Sequence, residues 1–169
     1  MSATVLVAYG TTNGSTARIA ETVAGVLRTR GLTAEARPAP SVADVEAYDA
    51  VIVGGALYVG RWHRHARRFV RRHRRALAAR PVWFFSSGPL DASAAERDIP
   101  PVPGVRRARD RLGAAGHVTF GGCLEEGAQG WPARMILRDG RGGDFRDFPA
   151  IEEWAARVAG ELTTARAAS

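Results

Sequence analysis

The chain has 169 residues, 46% of them hydrophobic, which fits one globular domain (1–169) with a full core. Its net charge is +7 and all 24 basic side chains are arginine, a balance that attracts anionic partners. The single Cys123 excludes an internal disulfide, and no charged-then-apolar leader or membrane-length apolar run is present; the sequence reads as soluble and cytoplasmic.

The first predicted strand is the apolar run Val5 to Ala8, and the first helix carries Ile19, Ala20, Val23, Val26 and Leu27 on one face. Between them lies Tyr9-Gly10-Thr11-Thr12-Asn13-Gly14-Ser15-Thr16. Strand, polar turn and helix make a setting for an anion, because the first backbone N–H groups of a helix lack intrahelical partners and its dipole favours negative charge. Four hydroxyls add donors, and no lysine or arginine lies in the turn, so the fit is to a terminal phosphate held by neutral groups. The P-loop and G-x-G-x-x-G patterns are both absent. The octet resembles the phosphate loop of flavodoxins, of the form Y-G-[ST]-T-x-G-x-T, and that resemblance implies FMN as cofactor, with Thr11, Thr12, Asn13, Gly14, Ser15 and Thr16 around its phosphate.

The first helix closes on Arg28, Arg30 and Gly31, and residues 32–37 read as a weak edge strand broken by Pro38 and Pro40. Ser41 to Asp44 begins a predicted short helix that ends near Tyr48. Residues 50–54 form a third strand, apolar on both faces and therefore central. The turn Gly55-Ala56-Leu57-Tyr58-Val59-Gly60 follows it. Loops at the carboxyl ends of central strands are where open α/β sheets place ligands. In a flavodoxin-like site Ala56, Leu57, Tyr58, Val59 and Gly60 would border the flavin ring, with Tyr58 either along the ring or packed into the protein. A second ring-side loop, Ser87 to Asp91, leaves the fourth strand at residues 82–86, and Ser86, Ser87, Gly88 and Asp91 would reach the pyrimidine edge.

Residues 61–80 predict one amphipathic helix, with Trp62, Ala66, Phe69, Val70, His73 and Leu77 inward and eight arginines outward. That basic face is either solvated or docks on a phosphate-bearing surface, anionic membrane before nucleic acid. Its histidines lack companions at metal-ligand spacing, so neither a metal site nor an evident acid, base or nucleophile is read in the chain. A helix over 105–115, a fifth strand over 117–122, an irregular segment over 123–148 and a last helix with Ile151, Trp154, Ala155, Val158 and Leu162 inward complete the chain. Within the irregular segment, Trp131 to Arg138 is an apolar patch among arginines, readable as core packing, a lid or a contact surface. The alternation gives a flavodoxin-like three-layer α/β sandwich on a five-stranded parallel sheet in order 2-1-3-4-5.

Residues 54–77, the segment Arg-Pro-Val-Trp-Phe-Phe-Ser over 80–86 and the ending around Gly143 to Ala155 resemble the menaquinone-dependent protoporphyrinogen oxidase branch of flavodoxin-domain proteins. That likeness implies an FMN oxidoreductase that is quinone-linked, acts on a tetrapyrrole-like substrate and sits peripherally at a membrane. Two alternatives remain open: a diffusible FMN electron carrier with a redox partner, and an Arg-rich module that binds anionic lipid or nucleic acid. Arg61 beside Tyr58, and Arg64 one turn on, would raise the flavin's reduction potential above that in acidic surroundings.

Overall fold

The computed structural model describes residues 2–12, 14–88, 93–124 and 143–168. Strands β1 (Thr4–Gly10), β2 (Thr33–Pro38), β3 (Ala50–Tyr58), β5 (Val82–Ser87) and β6 (Gly116–Phe120) form a parallel sheet in spatial order β2-β1-β3-β5-β6. Counting the parallel strands alone, this is the expected order 2-1-3-4-5. The sheet differs from expectation by a sixth strand, β4 (Arg61–Trp62), which folds back antiparallel on β3. A second sheet of two residues per strand pairs β7 (Cys123–Leu124) with β8 (Gly143–Asp144).

Side-chain alternation along the central strands builds two cores at once. Val5, Val7, Ile52, Trp83 and Phe85 face α1 (Ser15–Thr29) and α6 (Phe148–Ala167), meeting Ile19, Val23, Ile151 and Trp154. Leu6, Ala8, Val51, Val53 and Phe84 face the other way, onto Ala66, Phe69, Leu77, Val105 and Leu112 of α2 (Arg64–Arg72), α3 (Arg74–Ala78) and α5 (Pro103–Leu112). A single turn, α4 (Ser93–Glu96), precedes α5.

Three local expectations are corrected. The predicted helix from Ser41 to Tyr48 is instead a 3-10 turn at Ala39–Ser41 followed by irregular chain with a turn at residues 46–47. There Val42, Val45 and Tyr48 plug the core, while the carbonyls of Val45 and Tyr48 accept from the Arg80 guanidinium (2.6 and 2.8 Å), which replaces the helical bonds. The predicted helix over 61–80 is β4 followed by two helices that break at His73, whose buried ring bonds the Val42 backbone and so ties the break to that crossover. Finally, β3 runs on to Tyr58, so most of the expected 55–60 turn is strand.

Phe85 lies directly over Gly54 of the neighbouring strand, and a β-carbon at Gly54 would fall 1.9 Å from its ring. Alanine normally suits a strand better than glycine, yet Gly54→Ala is expected to destabilise the protein by about 1–3 kcal/mol through overpacking. Urea unfolding checks this, and adding Phe85→Leu should recover part of the loss.

Candidate functional site

Three loops meet at the carboxyl edge of the sheet. In the first, Gly14 (φ 82°) caps α1 without a side-chain bond, and its N–H is taken by the Thr11 hydroxyl at 3.1 Å. The first turn of α1 contains no acidic residue. Its leading N–H groups therefore face outward with the positive end of the helix dipole. Ser15 is 9% exposed and Thr16 fully buried, and the Thr16 Oγ1 has no hydrogen-bond partner within the protein. A buried hydroxyl left unpaired costs about 1–3 kcal/mol, so such an atom points to a bound acceptor. Asn13 lies outside the described residues, as do Asp91 and the patch from Trp131 to Arg138.

The second loop is a tight hairpin. Tyr58 pairs with Arg61 across Val59 (φ 52°) and Gly60 (φ 70°), two left-handed residues that form a primed turn. Valine is an unusual choice there, where asparagine or glycine is the norm, and its side chain stands 81% exposed at the tip. Ala56 and Leu57 are built into β3: the Ala56 carbonyl accepts from His63 N–H at 2.7 Å, and Leu57 pairs with Trp62. The third loop leaves β5. Its Gly88 N–H donates to the Phe120 carbonyl at 3.0 Å, and Leu57 packs so close to Gly88 that a β-carbon there would lie 2.7 Å from it. The Ser86 hydroxyl lies within hydrogen-bond distance of His117 Nε2, at 3.0 Å. The hydroxyl left without a partner is that of Ser87, buried at 3% exposure.

His63 and Arg146 join this site, and the sequence reading assigned neither. His63 Nδ1 accepts from the His65 backbone N–H (3.1 Å), capping α2, so its Nε2 carries the proton and donates to Thr12 Oγ1 at 2.9 Å. The Thr12 hydroxyl is thereby turned to give its own proton to another acceptor. Burial, with His65, Arg64 and Arg67 adding to it, lowers the His63 pKa from 6.5 to about 4, so the ring is neutral at physiological pH. Gly10 makes this approach possible, because a β-carbon on it would lie 2.8 Å from the Ala66 nitrogen and 3.1 Å from His63 Nδ1. The Arg146 side chain is 6% exposed; it bridges to Asp144 at 2.7 Å, lies against the Phe148 ring, as Arg18 also does, and reaches the Ser15 carbonyl at 3.5 Å. The Arg146 bond holds the Asp144 carboxyl down at about 2. One signal for His63 was available in the sequence: a residue just before a helix whose side chain can accept a hydrogen bond reads as a cap.

A doubly wound α/β sheet with an uncapped, hydroxyl-rich helix start at its carboxyl edge defines a protein that anchors a phosphate-bearing cofactor. The chain belongs to the flavodoxin-domain family, whose sequence profile matches residues 6–136. Among solved structures it is similar to a flavodoxin from the domain Archaea (12% identity, TM-score 0.62, covering 95% of this chain and 99% of that one). It is also similar to the WrbA-like flavodoxin of Agrobacterium tumefaciens (16%, 0.60, 96% and 99%). A third likeness is to rubredoxin oxygen:oxidoreductase of Desulfovibrio gigas (12%, 0.63, 95% of this chain and 36% of that one). At these identities the likenesses show the fold. No curated protein matches the chain in sequence. Membership of this family implies FMN, and the residues present fit it. Thr11, Thr12, Ser15 and Thr16 would hold the phosphate, while the hairpin tip and Ser87-Gly88 would border the ring.

Thr16→Val keeps the shape and removes the unpaired hydroxyl. The apoprotein is expected to hold or gain stability, up to about 1 kcal/mol, while FMN affinity falls about tenfold or more and riboflavin affinity does not. Urea melts of the apoprotein and fluorescence titrations with both flavins check this.

His117, like His63, is lowered to about 4 by burial, with Arg109 adding and Asp98 opposing. Between 6.5 and 4 the unfolded chain takes up these protons first, so stability is complete above about 6.5 and declines as pH falls toward 4. Each imidazole contributes on the order of 1–3 kcal/mol to this decline. His63→Gln, which retains a donor for Thr12 but does not titrate, should flatten the slope of stability against pH and keep most FMN affinity.

Proposed function

We propose that the chain is an FMN-dependent oxidoreductase working against an anionic membrane surface, quinone-linked, with a tetrapyrrole-like substrate as its reductant. The observation that carries this reading is the placement of α2. The helix starts at the residue that bonds the phosphate loop, so the densest run of arginine begins beside the cofactor site. Arg64, Arg68 and Arg72, spaced by four, form one exposed row along it. Among the described residues no helix is long and apolar enough to cross a membrane, so contact with lipid would be made by this surface.

Bound FMN supplies one- and two-electron exchange at its ring. The protein's own groups bind and bias it. The first loop fixes the phosphate, His63 aims the Thr12 hydroxyl, and the exposed Arg61 of β4 adds positive charge beside the hairpin, which favours the more electron-rich flavin. The tetrapyrrole substrate is proposed only from the resemblance, in sequence, of residues 54–86 to the protoporphyrinogen oxidase branch. A second reading, a diffusible electron carrier, is favoured by the nearly end-to-end match to the archaeal flavodoxin.

The FMN-loaded protein is expected to sediment with phosphatidylserine vesicles and to reduce a membrane-embedded quinone. Replacing Arg64, Arg68 and Arg72 by glutamine should weaken vesicle binding about a hundredfold, at roughly 1 kcal/mol per charge, and leave FMN affinity intact. Reduction of a soluble acceptor protein with neither vesicle binding nor quinone turnover would establish the carrier instead.

A further inference from the structure

The arginines that read as one basic face in the sequence are divided by the fold. Beside the row at Arg64, Arg68 and Arg72, a second set turns toward α5. A groove of about 600 Å³ between α2–α3 and α5 is lined by Arg67, Arg71 and Arg74 on one wall and by Arg107 and Arg111 on the other, with Arg61 closing the end at the hairpin. Trp62, Val70 and Leu112 form an apolar floor. Among the described residues no Asp or Glu lines the groove, and none of its six arginines takes part in the ion pairs found there, which are Arg109–Asp110, Arg146–Asp144 and Arg166–Asp49. Two helices that present like charges to each other across a cleft repel unless a counter-charge lies between them. The mouth of the groove also receives the start of α5, where Val102 makes no side-chain cap, Pro103 begins the helix and no acidic residue occupies the first turn.

We propose that this groove binds an oligophosphate, a chain of two or three phosphate groups that is either free or carried on a nucleoside. Guanidinium forks on facing walls match phosphate oxygens in pairs, and each phosphate group brings up to about two charges and several acceptors into a small volume. A carboxylate-bearing peptide brings one charge per side chain, spaced at about 3.3 Å per residue even when extended, and would leave most of these arginines unmatched in a groove of this size. A bilayer surface is flat and meets the outer row; it does not enter a cleft whose floor is Trp62, Val70 and Leu112. The floor gives an apolar seat for a base if the phosphates are carried on one.

Titration calorimetry of the full chain saturated with FMN, so that the first loop is occupied, with inorganic triphosphate and, separately, with adenosine triphosphate tests the site. Both are expected to bind one per chain, more weakly as salt rises, and tighter binding of the nucleotide would show that the base uses the apolar floor. Arg74→Gln combined with Arg107→Gln should lower affinity about tenfold or more, as expected for lost charged hydrogen bonds. Arg68→Gln combined with Arg72→Gln, on the outer row, should change it less than about threefold. Equal losses in the two double variants would overturn the proposal in favour of diffuse charge. So would binding to phosphatidylserine vesicles with no heat from triphosphate and no competition by it. Far-ultraviolet circular dichroism of each variant, whose changes lie at exposed positions, confirms that folding is unchanged.

Discussion

The contact between Thr12 and His63 sets the position of much else in this molecule. His63 takes part in four arrangements at once: its N–H bonds the Ala56 carbonyl, its Nδ1 caps α2, its Nε2 bonds the phosphate loop, and its ring meets the edge of Tyr58 at 6.4 Å. The hairpin, the start of α2 and the first loop are therefore tied together through one residue. Gly10 is the steric condition for this, since any side chain there would push the helix start away from the strand. Because α2 is seated by this contact, the directions of both arginine rows follow from it.

Positive charge surrounds the anion site without entering it. The described residues of the loop offer hydroxyls and backbone N–H groups, while Arg18 and Arg146 both lie against the Phe148 ring and α2 carries the densest run of arginine. Arg146 is almost fully buried and its charge is matched by Asp144, so it acts mainly to brace the Ser15 turn. The arginines of the groove, on β4, α2, α3 and α5, take part in none of the ion pairs found among the described residues and stand at exposed positions where they can meet a partner. This separation lets a neutral cradle select the phosphate while the surface selects what approaches it.

The two buried unpaired hydroxyls among the described residues, Thr16 Oγ1 at the start of α1 and Ser87 Oγ at the end of β5, are more than seventy residues apart in the chain and both belong to the carboxyl edge of the sheet. Protein interiors seldom leave such groups without a partner, and each carries a desolvation cost in the apoprotein. A cofactor that accepts from both would remove that cost. Binding and folding of this edge are thus coupled.

Much was legible in the chain itself because the patterns are local. Strands buried on both faces show as unbroken apolar runs, and Val51 to Val53 or Val82 to Phe85 could hardly be anything else. The hydroxyl-rich octet and the following helix announce an anion site from sequence-adjacent residues alone. What remained hidden was decided by partners distant in the chain. Arg80 reaches the carbonyls of residues 45 and 48 and stops a helix that the local pattern favoured, His73 breaks another by turning to Val42, and His117 binds the Ser86 hydroxyl. Periodicity reports which face of a helix is polar. It does not say what stands opposite, and so the division of the arginines into an outer row and a groove wall depended on where α5 packs.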